Sequence, residues 1–165
     1  MRKWRKPLIV FTPKSMLRHP DAMSPIADFS RNEFLNVLPD NDVKDPRRLL
    51  VCTGKIGHNL RVERAKRNDM SVGIVFVEQL YPWPEAELQA ALDQYPGAHE
   101  VVWVQEEPAN MGALSFVLPR MKQMVGDRAL LSVKRTASAS PATGSAKAHE
   151  MEEKTLIDIA LGHGV

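Results

Sequence analysis

Short apolar runs alternate along the chain with longer segments that have helical periodicity. The apolar runs predict five β-strands, at residues 8–12, 49–53, 72–77, 101–105 and 129–134. Nearly continuous apolar residues are typical of strands that are buried on both faces of a sheet. The alternation, in which no internal repeat is visible, therefore predicts an α/β fold.

The segments between the strands predict four main helices, at residues 57–68, 84–95, 111–124 and 150–161. The second of these has the clearest signals, because Pro84 suits a first helical turn and Leu88 and Leu92 share one face. Within the third helix, we expect Pro119 to introduce a kink.

Two segments do not fit the alternation. Residues 15–47 contain four prolines and the polar tract Asp40-Asn41-Asp42, which predicts a long surface excursion with short helical turns. Residues 136–147, TASASPATGSAK, are small and polar like a flexible linker, yet only one short helix follows them. We interpret them as an ordered loop whose shape depends on an outside surface.

The fourth strand ends in a distinctive polar sequence, VVWVQEEPANMGA, at residues 101–113. Strand propensity falls after Gln105, and Asn110 is a good N-cap for the helix that follows. Glu106 and Glu107 are adjacent, so in an extended chain they point to opposite sides and cannot form a facing catalytic pair. We expect them to pair with Arg18, Lys55 or Arg135, or with a partner chain.

Cations follow two of the predicted strands. Lys14 and Arg18 come after the first strand in TPKSMLRHP, and Lys55 comes after the second in CTGK. Because ligands bind at the carboxyl edge of a parallel sheet, these residues are a candidate anion-binding site. The alternative for Lys14 and Arg18 is pairing with Asp21 or Asp28. The glycine spacing of a P-loop or dinucleotide fingerprint is absent.

Composition and the lengths of the apolar runs argue against several classes of protein. The chain has 165 residues, 44% of them hydrophobic, and a net charge of +2 without a dominant basic patch, which argues against nucleic-acid binding. Its apolar runs are much shorter than the ~20 residues of a membrane helix, and prolines interrupt the amino-terminal run too early for a secretory signal. A lone cysteine, Cys52, excludes an internal disulfide and favours a reducing compartment.

No catalytic or metal-binding pattern emerges from the sequence. The five histidines lack metal-ligand spacing, and Ser138, Ser140 and Ser145 lie outside any nucleophile-elbow motif. We therefore predict no catalytic residue and no metal ligand in this chain.

The ordered blocks TPKSMLRHP, CTGK, VEQLYPWP, VVWVQEEPANMGA and SASPATGSAKAHEMEE are more specific than any single motif. Together, over residues 3–161, they resemble the carboxy-terminal domain of 2-oxoglutarate dehydrogenase, the thiamine-dependent decarboxylating first component. VEQLYPWP also resembles the broader transketolase-like group. The resemblance implies one domain over residues 1–165, a three-layer α/β/α fold on a mixed, mostly parallel five-stranded sheet.

The resemblance also implies a role within a larger enzyme. Thiamine diphosphate and magnesium would lie between preceding domains of a homodimer, so this chain alone would bind no cofactor and be inactive. The parent would decarboxylate 2-oxoglutarate and transfer the succinyl group to the lipoyl arm of a succinyltransferase component, in the citric acid cycle. The expected location is the bacterial cytoplasm, or the mitochondrial matrix for a eukaryotic source.

Two functions follow from the resemblance. The first is a structural and dimer-interface domain, in which Trp4, Trp83 and the loop 136–147 would be covered by the missing domains. The second is a regulatory module that binds acetyl-CoA or an adenine nucleotide such as AMP. The resemblance assigns that effector site to five candidate residues: Lys14, Arg18, Lys55, Gln105 and Glu106.

Overall fold

The computed structural model describes residues 7, 9, 13–31 and 33–162. It divides into two compact units, Met1–Glu33 and Phe34–Val165. Within the first unit, two 3-10 turns, Lys14–Met16 and Pro20–Ala22, precede helix α1, Ile26–Arg31. These turns confirm the short helical pieces predicted after residue 15. The predicted strand at 8–12, apart from Ile9, and Trp4 lie outside the described residues.

The second unit contains a five-stranded mixed sheet. The strands are β1 (Val37–Leu38), β2 (Arg48–Cys52), β3 (Val72–Val77), β4 (Glu100–Pro108) and β5 (Ala129–Arg135). Their spatial order is β1-β3-β2-β4-β5; β1 is antiparallel to β3, and the other pairs are parallel. This confirms the mixed, mostly parallel sheet of five strands.

The edge strand β1 corrects one prediction. It lies within residues 15–47, which the sequence pattern assigned to a surface excursion. A two-residue strand between prolines has no periodicity to reveal it, and its place is set by pairing with β3, where Val37 lies opposite Val77.

Four helices complete the second unit: α2 (Lys55–Arg67), α3 (Glu85–Asp93), α4 (Leu114–Met124) and α5 (Ala146–Ala160). Alternate strand residues form two cores. Leu49 and Val51 pack with α3 and α4, whereas Leu50 and Cys52 pack with α2 and α5. The central strands are therefore buried on both faces, and the architecture is a three-layer α/β/α sandwich.

Strand β4 extends three residues beyond its predicted end at 105. An irregularity in register lies between Val104 and Pro108, after which Pro108 pairs with Arg135 and the Ala109 amide donates to the Arg135 carbonyl at 3.0 Å. A proline is tolerated here because the ladder does not need its missing N–H. Pairing with β5 thus overrides the weak strand propensity of the segment.

A buried ion pair joins the segment after β1 to helix α2. Asp40 is 3% exposed and Arg64 is 5% exposed, and their side chains hydrogen-bond to each other. Asp40 also accepts from the Ile74 amide at 2.7 Å, and Arg64 donates to the Val72 carbonyl at 3.1 Å. The tract that begins at Asp40 was predicted to lie at the surface; instead, its first residue is part of the core.

Candidate functional site at the carboxyl edge of the sheet

The carboxyl ends of β2, β3 and β4 meet at one edge of the sheet. The chain leaves β2 for β3 on one side and then returns past β2 to form β4 on the other. Such a change of direction opens a crevice between the carboxyl ends of β2 and β4. This is where α/β proteins bind ligands. The candidate residues Lys55, Gln105 and Glu106 all lie at this edge.

Gln105 organises the turn after β4. Its side chain is buried; the amide oxygen accepts from Trp103 Nε1 at 3.0 Å, and the amide nitrogen donates to the Met111 carbonyl at 2.8 Å. The same nitrogen lies 3.2 Å from the carbonyls of Glu107 and Pro108. Both ends of the amide are therefore occupied by bonds within the chain.

Lys55 lies in a partly buried ionic network. It is the first residue of α2, after Gly54, whose φ of 71° favours glycine. The Lys55 ammonium is 2.9 Å from Glu106 Oε1 and 2.6 Å from Glu153 Oε1. Burial lowers the pKa of Lys55, but hydrogen bonds to Glu153 and Glu106 raise it more, so the net shift is upward.

This network confirms one of the expected pairings of Glu106 and adds a partner. The sequence pattern named Lys55 among three basic candidates; Lys55 pairs with the Glu106 carboxylate, and Arg135, another candidate, donates to the Glu106 backbone carbonyl at 2.6 Å. Glu153 of α5 was not foreseen, because the register of a distant helix against α2 is a tertiary property. Asn59 Nδ2 donates to the same Glu153 oxygen at 2.6 Å, which fixes that carboxylate from a second side.

The loop 136–145 is held by residues of its own unit. Arg135 donates from Nη2 to the Pro141 carbonyl at 2.8 Å and from Nη1 to Thr143 Oγ1 at 3.1 Å. Thr143 in turn donates to Glu152 at 2.6 Å. These internal bonds hold part of the loop, and the expectation that an outside surface shapes it stays a prediction.

Asn110, in the turn after β4, bonds to this loop and is not a helix cap. Helix α4 begins at Leu114, and its N-cap is Ala113, which makes no side-chain cap bond. The Asn110 amide instead bonds to Ser138 across the gap between the two loops. An asparagine is suited both to capping a helix and to bridging two loops. Here it bridges the loops, because an additional turn through Gly112 moves the start of α4 away from Asn110.

Lys14 and Arg18 lie in the first unit. Both are exposed, in and after the 3-10 turn Lys14–Met16. Within the described residues neither cation forms an ion pair, so the proposed pairing with Asp21 or Asp28 is not observed. Asp21 pairs with His19 at 3.4 Å.

A mainly apolar pocket of about 380 Å³ opens at the same edge of the sheet. Leu80, Tyr81 and Phe116 contribute much of its apolar wall, and the floor includes Trp103 and Gln105. The sequence pattern did not predict this pocket. The signal available for it was the block VEQLYPWP, whose Leu80 and Tyr81 follow β3 directly.

The described residues show neither a metal-binding cluster nor a membrane-spanning helix. They contain no group of three or more His, Cys, Asp or Glu side chains that could hold a metal ion. No helix among them has the length and apolar character needed to cross a bilayer.

The fold and this edge define a three-layer α/β/α domain whose central strands carry a partly buried ionic network beside an apolar pocket. The chain belongs to the 2-oxoglutarate dehydrogenase C-terminal family, whose model matches residues 23–161. The resemblance in the sequence blocks is thus confirmed over most of the chain.

Three curated relatives illustrate the match. A 2-oxoglutarate dehydrogenase E1 component from Cupriavidus necator is 39% identical over 97% of the chain, and one from a Geobacillus species is 38% identical over 94%. A multifunctional 2-oxoglutarate metabolism enzyme from Mycolicibacterium vanbaalenii is 39% identical over 95% of the chain. The chain spans 17%, 17% and 13% of these proteins, respectively.

Proposed function

We propose that this chain serves as the carboxy-terminal structural domain of an enzyme that decarboxylates 2-oxoglutarate, and that it packs there against the other domains within a homodimer. The observation that carries the proposal is the family match over residues 23–161. The site supports it, because Lys55, Glu106 and Glu153 bond to one another while Tyr81, which lines the apolar pocket at the same edge, stays exposed.

The reaction chemistry in this proposal belongs to the parent enzyme. Thiamine diphosphate with magnesium supplies the decarboxylation and is held outside this chain. The succinyl group passes to the lipoyl arm of a succinyltransferase component, and we place the enzyme in the cytoplasm. The 165 residues alone are inactive in this view, because their polar groups at the edge are committed to holding α2, β4 and α5 together.

A hybrid enzyme tests the proposal. In the C. necator E1 component, the matching segment is replaced by this chain in one variant and deleted in another, and release of CO₂ from 2-oxoglutarate is measured. We expect the hybrid to retain activity and the deletion to lose it. An inactive but folded hybrid, or a fully active deletion variant, would contradict the proposal.

A regulatory role is the second candidate, and one observation favours it. Lys14 and Arg18 are exposed cations with no ion pair among the described residues, so they remain available to an anion such as acetyl-CoA or AMP. Lys55, Gln105 and Glu106 are less available, because a phosphate would have to displace Glu106 and Glu153 from the Lys55 ammonium.

Thermal unfolding with each ligand separates the two roles. A bound effector stabilises by RT ln(1 + [L]/Kd), about 2.7 kcal/mol at a hundredfold excess over Kd. If the chain carries the site, acetyl-CoA or AMP raises the unfolding midpoint and Arg18→Ala abolishes the rise. The absence of any rise with either ligand would exclude a site carried by this chain alone.

A further inference from the structure

The indole of Trp83 has an unused hydrogen-bond donor. Its Nε1 is buried and has no acceptor among the described residues. Buried N–H groups nearly always find a partner, since an unpaired one has lost its hydration without compensation. The indole lines a pocket of about 460 Å³ together with Glu85, Pro119, Arg120 and Gln123.

Arg120 presents further donors to the same pocket. Its guanidinium lies over the Phe116 ring, with Cζ 3.7 Å from the ring centroid, and Nη1 donates to the Phe116 carbonyl at 2.6 Å. No described carboxylate forms an ion pair with Arg120, although Glu85 lines the same pocket. Apart from the bond to the Phe116 carbonyl, the Arg120 guanidinium therefore has no hydrogen-bond acceptor among the described residues.

Phe116 connects this donor pocket to the apolar pocket of about 380 Å³. Its ring lines the apolar pocket and packs edge-on against Trp83, with 6.1 Å between the ring centroids. Tyr81, which is 82% exposed, lines the apolar side. Exposed aromatic side chains around an apolar pocket mark an interaction site on a folded domain.

We propose that the two pockets together form one docking surface for a segment of the parent enzyme outside this chain. That segment would insert a large apolar side chain beside Tyr81 and Phe116, and an adjacent Asp or Glu carboxylate would accept from the Arg120 guanidinium. This inference rests on the proposed function and specifies where the contact is made.

Three features favour this occupant. The relatives are about six to eight times as long as the aligned segment, so most of the parent chain is available to cover the surface. Arg120 forms no ion pair among the described residues, so a negatively charged group of the segment is favoured beside its guanidinium. Aromatic and arginine side chains around a central pocket are also the residues that dominate the energetics of protein interfaces.

Hydroxyl-radical footprinting compares this chain alone with the full-length hybrid enzyme. We expect oxidation of Tyr81 and Trp83 to slow by about fivefold or more in the hybrid, because an interface core excludes water. Met151 is the matched control: it lies on α5, against the opposite face of the sheet, and is 62% exposed. Its oxidation rate should be the same in both proteins if only the proposed surface is covered.

Two variants of the hybrid test the polar half of the surface. Arg120→Gln should restore part of the Tyr81 oxidation rate, whereas Gln123→Ala, in the same pocket, should not. Equal protection in the two variants and the parent hybrid would overturn the carboxylate contact.

Other outcomes identify other occupants. Protection of Tyr81 in this chain alone that grows with concentration would assign the surface to a second copy and overturn the proposal. Unchanged Tyr81 reactivity in an active hybrid would also overturn it but leave the structural role intact. If the hybrid is inactive as well, the proposed function itself fails.

Discussion

Asn110 and Ser138 form two reciprocal hydrogen bonds that join the turn after β4 to the loop after β5. Asn110 Nδ2 donates to the Ser138 carbonyl at 2.9 Å, and the Ser138 amide donates to Asn110 Oδ1 at 3.1 Å. An asparagine side chain thereby imitates the pairing of one strand residue with another. The loop 136–145 is held at this point although it has no regular secondary structure.

Asn110→Ala should release this part of the loop without unfolding the domain. We expect faster hydrogen exchange at the Ser138 amide and a loss of about 1 kcal/mol or less in the free energy of unfolding, since the contact is exposed. Asn110→Asp is the matched control, because it keeps the acceptor for the Ser138 amide and loses only the donor. Equal exchange in both variants would show that the Oδ1 contact does not protect the amide.

Asp40→Ala should be among the most destabilising single changes in the second unit. It leaves the buried Arg64 guanidinium without its main counter-charge and leaves the Ile74 amide without an acceptor. Breaking a buried pair in this way costs about 3–5 kcal/mol. Urea unfolding measures the loss, and Asp42→Ala is the control, because the Asp42 side chain is 72% exposed. Similar losses in both variants would refute the assignment of Asp40 to the core.

Lys55→Met should destabilise the domain by about 1 kcal/mol near neutral pH, because Glu106 and Glu153 then lie close together without a cation. Lys154→Met, on the exposed surface of α5, should have a smaller effect. Its partner Asp158 also pairs with Arg67. Chemical denaturation of the three proteins gives the comparison.

The Lys55 network also predicts an alkaline dependence of stability. Because the folded-state pKa of Lys55 is raised, the folded protein holds this proton more tightly than the unfolded chain. Its contribution is complete below the ordinary lysine pKa of about 10.4 and is lost as pH rises through the folded value. The stability difference between the parent chain and Lys55→Met should therefore shrink above that pH. A difference that grows there would contradict the raised pKa.

Alanine substitutions at two glycines distinguish the cost of backbone strain from the cost of a steric contact. Gly112 and Gly126 both have positive φ, 68° and 62°, so alanine is strained by roughly 1 kcal/mol at either position. At Gly112 a Cβ would also lie 2.9 Å from Gln105 Nε2, whereas at Gly126 it meets nothing within 4 Å. Thermal unfolding should show a larger loss for Gly112→Ala. Equal losses would mean that Gln105 moves away without cost.

The parts of the fold that could be predicted are those determined by local pattern. Strand β3 has the predicted bounds, and α3 differs from its prediction only at the ends, because continuous apolar runs and a proline at a helix start are local signals. The burial of Asp40 and Arg64 could not be predicted, since charged residues are usually exposed and only the packing of α2 on β3 brings these two together.

The candidate site also combines features that local sequence predicts with features that depend on tertiary packing. The sequence placed Lys55, Gln105 and Glu106 at the carboxyl edge, because residues that follow parallel strands collect there. It did not reveal that Glu153 would share the lysine, nor that Gln105 would be occupied by carbonyls of its own turn. Both facts depend on side-chain geometry between segments, which composition and spacing do not encode.

Strand β1 is only two residues long, and it forms one edge of the sheet. A parallel sheet that stopped at β3 would present a long row of unpaired amides and carbonyls, on which a strand of another molecule could continue the ladder and start aggregation. Val37 and Leu38 occupy the carboxyl end of that row, opposite Val77 and Phe76, in the reverse direction. A strand of two residues is itself too short to serve as the next template. The domain thus protects one border of its sheet against edge-to-edge association with very little chain.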